Sequence, residues 1–250
     1  MRIIDAHAYV GPSLFGLSRT IDDLLRAMDG LGIDMAVLCP SRPPDYALGP
    51  ANKWVAKAIG EHRDRFYGWA RVDPWQGAAA LQDLEHAHQD LGLHGLLLHP
   101  WEELCPLSEK AYDPLVDYAA EHNLPVLIET GYPLVSHPLD VAEVANRHPK
   151  AKLIGTHGLQ LDSSAFALLD AETAMRECPN LHMESSGMYA FGVMETVVHE
   201  LGSGRLIFGS HSPWLNAELE LARIKRLSLT PAKLQAVLCD NIEQLIAAAR

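Results

Sequence analysis

The sequence predicts an α/β chain folded as a single (β/α)8 TIM barrel over residues 1–250, and three observations carry that expectation. The first is length, because 250 residues is the usual size of such a barrel. The second is alternation: short apolar runs and helical patterns take turns eight times, one strand–helix unit filling about 30 residues. The third is how the runs end. Ile3-Ile4 leads into His7, Leu96-Leu97-Leu98 into His99, Val126-Leu127-Ile128 into Glu129, Leu153-Ile154 into His157, and Leu206-Ile207-Phe208 into His211. Buried parallel strands read as continuous apolar runs, and in a barrel the chemistry collects at their C-terminal ends. An open doubly wound sheet is the rival. It carries a glycine-rich phosphate turn after its first strand, whereas here that turn reads His7-Ala8-Tyr9-Val10-Gly11-Pro12.

The elements follow in order. The first strand stops at Gly11-Pro12. Thr20 caps a helix, with Asp23 three residues on, an apolar stripe of Ile21, Leu24, Leu25 and Met28, and Gly30 as its end. Met35 to Cys39 is the second strand, closed by Pro40. The proline-rich stretch Ser41 to Pro50 is an irregular loop, and a helix then runs to about His62. Phe66 to Val72 is the third strand and Ala78 to Leu91 its helix. Gly95 to His99 is the fourth, followed by a helix capped by Ser108 with Tyr112, Leu115, Val116 and Ala119 on one face. Pro125 to Glu129 precedes a helix from Leu139 to His148, and Lys152 to His157 precedes one from Ser164 to Cys178. Leu181 to Ser185 is the seventh strand, with a helix near Phe191 to Leu201. Arg205 to Ser210 is the eighth, followed by helices at Ala217 to Leu227 and Pro231 to Ala248.

Composition narrows the function classes. The formal charge of −12 argues against nucleic acid and against an anionic membrane surface, since both call for basic patches. No apolar run approaches a membrane span, and the first residues enter strand at once, so the expectation is a cytoplasmic chain without a signal peptide. Cys39, Cys105, Cys178 and Cys239 are scattered without a CxxC, as reduced thiols are.

The rim motifs resemble the amidohydrolase superfamily, in particular its amidohydrolase-2 branch of decarboxylases and hydrolases. The resemblance runs from Ile4-Asp5-Ala6-His7 through Val72-Asp73-Pro74, Leu98-His99-Pro100, Glu129-Thr130-Gly131, Thr156-His157-Gly158 and Phe208-Gly209-Ser210 to Asp240-Asn241-Ile242. It implies a metal site made from HxH on the first strand, His on the fifth, His on the sixth and Asp on the eighth. His7 and His157 match. Tyr9 replaces the second histidine of HxH, Glu129 stands on the fifth strand, and His211 stands on the eighth. A carboxylate lost from one strand thus reappears on another, and a histidine makes the reverse exchange. His7, Glu129, His157 and His211 still offer three imidazoles and one carboxylate. That set suits one divalent metal, zinc being the first expectation and manganese or iron the alternatives. A barrel that has lost its metal is the competing outcome.

The resemblance gives the eighth-strand residue the part of general base, which His211 inherits by position, with Glu129 as the other candidate. Around them, Tyr9 shares a strand face with His7. Arg71 matches a substrate carboxylate with its planar fork, or else pairs with Asp73 or Glu129. His99 packs at the rim and touches substrate. Trp101, with Tyr9 and Trp214, either walls a planar molecule or covers a core edge, and Glu184 either supports a ligand or is a barrel-interior acid. The first functional expectation is metal-assisted hydrolysis of a C–N or C–O bond in a small carboxylated metabolite. Non-oxidative decarboxylation of a small aromatic or unsaturated acid is the second, and a metal-free binding or scaffolding barrel the third. The partner is a small-molecule substrate, and exposed helices leave surface for a homodimer.

Overall fold

In the computed structural model, which describes residues 1–161 and 165–249, eight parallel strands stand in sequence order around one sheet. They are β1 (Ile4–Val10), β2 (Met35–Pro40), β3 (Phe66–Arg71), β4 (Gly95–Leu98), β5 (Pro125–Ile128), β6 (Lys152–Gly155), β7 (Leu181–Glu184) and β8 (Leu206–Ile207). The helices are α1 (Ile21–Leu31), α2 (Leu48–Glu61), α3 (Ala78–Gln89), α4 (Asp113–Glu121), α5 (Pro138–Arg147), α6 (Ala165–Glu177), α7 (Phe191–Thr196), α8 (Ala217–Lys225), α9 (Pro231–Gln235) and α10 (Asn241–Ala247). The expected (β/α)8 barrel is the observed fold.

The seam between β8 and β1 is closed by single bonds rather than a full ladder. The Ala6 N–H donates to Phe208 O at 3.0 Å and the Tyr9 N–H to Ser212 O at 2.8 Å. Buried Asp5 ties the same seam, accepting from the Ser210 N–H at 2.8 Å and the Ser210 hydroxyl at 2.5 Å. β8 is shorter than its apolar run because the Phe208 N–H is drawn off to Val237 O at 3.0 Å.

Two layers of core follow from strand alternation. Met35, Val37, Trp69, Leu97, Leu127 and Ile154 fill the barrel's interior, while Leu38, Ala70, Leu96, Val126 and Leu153 face the helices. The register of β1 against β2 slips between Asp5 and Ala8. One extra residue there changes which parity points inward: Ile4 and Ala6 line the interior below the slip and Tyr9 above it. That slip is what brings His7 and Tyr9 onto one inward face.

Some boundaries differ from expectation for local reasons. Gly30 lies inside α1, and Gly32, at φ 68°, closes it with its N–H on Asp29 O and Met28 O. Thr20 does cap that helix, accepting from the Asp23 N–H at 3.1 Å. Ser108 caps nothing: a short turn over Lys110–Tyr112 intervenes, and α4 opens at Asp113. The long terminal helix is split into α9 and α10 by a wide turn over Ala236–Asp240. Ser164, the expected start of the sixth helix, lies outside the described residues. The ladder ends directly before His99 and Glu129, one residue short of His157 and three short of His211, so all four are carried on the turns that follow the strands.

Candidate metal centre

Glu129 is the hub. Fully buried just past β5, it meets five groups carried by β1 and by the turns after β6 and β8. Its Oε1 accepts from the Tyr9 hydroxyl at 2.7 Å and lies 2.7 Å from His7 Nε2 and 3.9 Å from His211 Nε2. Its Oε2 accepts from the Thr156 hydroxyl at 3.0 Å and meets His157 Nε2, also at 3.0 Å. A second buried carboxylate, Glu184 of β7, supports the same imidazoles. Glu184 Oε2 lies 3.3 Å from His7 Nδ1 and accepts from the His157 N–H at 3.2 Å, while the Ser186 hydroxyl bridges Glu184 Oε2 at 2.8 Å and His157 Nδ1 at 3.0 Å.

The backbone is bent to aim these rings. His157 sits at φ 55°, ψ 24° and His211 at φ 50°, left-handed conformations that cost a histidine on the order of 1 kcal/mol each. Gly158, next in line at φ 58°, is packed so tightly on Met188 that no Cβ fits. Gly209 is required for a different reason: a Cβ there would strike the Glu184 carboxylate.

Protonation follows from the contacts. Burial would lower the pKa of His7, but the charges of Glu129 and Glu184 outweigh it and lift it to about 10. Burial would raise that of Glu129, but His7, His211 and His157 hold it well below the usual carboxylate range. His211 goes the other way: burial, reinforced by His157, keeps it well below its ordinary value and therefore neutral. Tyr9 is held far above the ordinary phenol pKa by burial and by Glu129, so it stays a hydrogen-bond donor.

The residues suit a divalent ion. One donor atom each from His7, Glu129 and His211 lie within 4.8 Å of one another. His7 Nε2 is buried and close to Glu129, yet among the described residues it makes no directed hydrogen bond. Two imidazole nitrogens and a carboxylate oxygen are ordinary ligands of zinc, manganese or iron, and an ion would take the place of the proton on His7. Three of the four expected ligands thus gather around one point. His157 reaches the carboxylate instead, with both ring nitrogens engaged by Glu129 and Ser186.

Above the cluster, His211 also lines a cavity of about 170 Å³ together with Phe15, His99, Trp101, Glu102, Tyr132 and Trp214. Trp101 and Tyr132 stack at 5.7 Å and 4°, and Phe15 meets Trp214 edge-on at 5.9 Å. His99 is on this wall, its pKa pushed down to about 4 by burial with help from Arg71 and His7, and hence neutral. Tyr9 and Glu184 face Glu129 and the histidines rather than the cavity. Arg71 is fully buried with its fork spent. Its Nε donates to Glu103 at 2.7 Å, its Nη2 to Glu102 at 2.6 Å and its Nη1 to Pro40 O at 3.3 Å. Neither Asp73 nor Glu129 is its partner. A pair of acids in the turn after β4, unremarkable in sequence, has taken the arginine.

Sequence reasoning missed Thr156, Ser186, Phe15 and Tyr132. Thr156 stood inside the Thr156-His157-Gly158 motif and was readable as a hydroxyl beside a ligand. Phe15 and Tyr132 lie in loops whose course no local signal fixes.

A (β/α)8 barrel with nitrogen and oxygen donors gathered at its C-terminal rim defines the class. The amidohydrolase family model matches residues 4–246, nearly the whole chain, and the chain belongs to that family. No curated protein matches the sequence. Among solved structures, 5-carboxyvanillate decarboxylase from Sphingomonas paucimobilis is similar with a TM-score of 0.79 at 15% identity, covering 98% of this chain and 99% of that one. A dihydroxybenzoic acid decarboxylase from Polaromonas, with bound manganese and the inhibitor 2-nitroresorcinol, gives 0.76 at 15% identity, with 100% and 98% covered. 4-Oxalomesaconate hydratase from Rhodopseudomonas palustris gives 0.72 at 16% identity, with 98% and 96% covered. At these identities the likeness is one of fold.

Proposed function

We propose that this chain is a divalent-metal-dependent enzyme that removes the carboxyl group of a small planar acid without oxidation. One observation carries the reading: the His7–Glu129–His211 cluster shares His211 with a cavity walled by aromatic rings and, among the described residues, by no cationic side chain. His7, Glu129 and His211 would hold the ion, and a divalent ion there supplies Lewis-acid polarisation and an attachment point for an anionic substrate. The chain's own residues do the rest. Tyr9, Thr156 and His157 fix the Glu129 carboxylate, and Glu184 fixes His7 and His157. The cavity offers a planar ring flat aromatic faces, and it strips water from a carboxylate without giving it an arginine partner. Loss of carbon dioxide relieves that desolvation, and a proton must then reach the ring carbon. His211, on the cavity wall, would deliver it from the N–H left when its other nitrogen holds the ion, and would recover a proton from solvent.

Hydrolysis is the second reading, and the neutrality of His211 favours it. An eighth-strand carboxylate has two oxygens and can hold an ion while accepting a proton from water. An imidazole bound through one nitrogen carries a proton on the other, so His211 serves as base only when it is off the ion. That restriction, together with the decarboxylases among the similar structures, ranks hydrolysis second. The test is metal analysis of protein purified without chelator, followed by assays of carbon dioxide release from small aromatic acids against cleavage of amides, lactones and esters. One bound ion and chelator-sensitive carbon dioxide release are expected. Cleavage without carbon dioxide would transfer the reading to hydrolysis, and activity indifferent to chelators in a metal-free protein would end both.

A further inference from the structure

The turn after β4 places Glu102 on the cavity wall, and the mechanism above does not use it. Its backbone is set by His99, whose Nδ1 accepts from the Glu102 N–H at 3.3 Å, and by Arg42, whose Nη1 donates to Glu102 O at 2.8 Å. The side chain is only 8% exposed and is held at one end by Arg71, which donates to Oε2 at 2.6 Å. The other oxygen is uncommitted. Oε1 lies 3.7 Å from His99 Nε2, beyond hydrogen-bond reach, and accepts no hydrogen bond among the described residues.

Around it stand the imidazoles of His99 and His211 and the rings of Phe15, Trp101, Tyr132 and Trp214. Arg71 cannot make this wall positive, because Glu102 and Glu103 share its single charge. A carboxylate oxygen among aromatic faces attracts positive charge twice over, through the ion pair and through the ring quadrupoles. We propose that Glu102 is a specificity-determining residue, accepting an ammonium or amino group at the end of the substrate remote from the His7–Glu129–His211 cluster. This rests on reading the cavity as the substrate site, and it makes the substrate a planar acid that also carries a basic nitrogen.

The test separates the cavity from any ion. With EDTA present, benzylamine, benzyl alcohol and benzoate are titrated into wild-type protein and Glu102→Gln, following tryptophan fluorescence and heat. Glutamine keeps the acceptor for Arg71, and a thermal melt checks folding. Wild type is expected to bind benzylamine at least tenfold tighter than the alcohol and tighter than benzoate, and Glu102→Gln to reduce the first ratio below threefold. Benzoate binding as well as benzylamine, an undiminished preference in the variant, or no binding of any probe would each overturn the assignment. None of these outcomes depends on turnover or metal content, so failure here is distinguishable from failure of the decarboxylase reading.

Discussion

Glu103 shows how a single charge is shared. It lies beside Arg71 in a buried turn with Glu102, and burial, with Glu102 adding, lifts its carboxyl from 4.5 to about 7 despite the arginine. Between those values the folded chain keeps a proton that the unfolded chain gives up. Stability therefore falls as pH rises through that window and levels off above it, at about 1.4 kcal/mol per pKa unit, or roughly 3 kcal/mol in all. Glu103→Gln removes the penalty, so its advantage over wild type in urea melts should grow between pH 4.5 and pH 7 and then stay constant. An advantage independent of pH would contradict the assignment. Thr156 and Ser186 hold Glu129 and His157 by their hydroxyls. Thr156→Val or Ser186→Ala should weaken divalent-metal binding about 10–100-fold in a chelator competition while leaving the fold intact. Affinity unchanged in both would mean that the hydroxyls do not orient the site. The histidines and the strand-end carboxylate could be read from sequence because a polar residue directly after an apolar run has few structural reasons to be there. Arg71 could not, since whether a guanidinium is free depends on two acids that only the turn after β4 brings to it.

At the level of elements, the strands were legible wherever an apolar run met a turn signal, and the helices wherever a stripe repeated at helical spacing. What escaped was set by bonds between distant segments: the shortening of β8 by Val237, and the slip in β1 that turns His7 and Tyr9 inward. The strand positions that fill the barrel should be intolerant of truncation. Leu97, fully buried inside, should cost about 2–5 kcal/mol as Leu97→Ala, read as a lowered urea midpoint. Thr20→Ala, by contrast, removes one helix cap at an exposed site and should cost about 1 kcal/mol. Equal losses at the two positions would mean that the inner layer is not the core described here.

Across the whole molecule, closure of the sheet is what turns scattered residues into a site, because His7, Glu129 and His211 come from the first strand and from the turns after the fifth and eighth. Among the described residues no helix is long and apolar enough to cross a membrane. The most direct measurement is an anomalous difference map from crystals grown with manganese. The account predicts a single peak at the barrel mouth within about 2.0–2.3 Å of nitrogen atoms of His7 and His211 and an oxygen of Glu129. No peak there in a protein that still turns over substrate, or a peak bound by other residues, would contradict it.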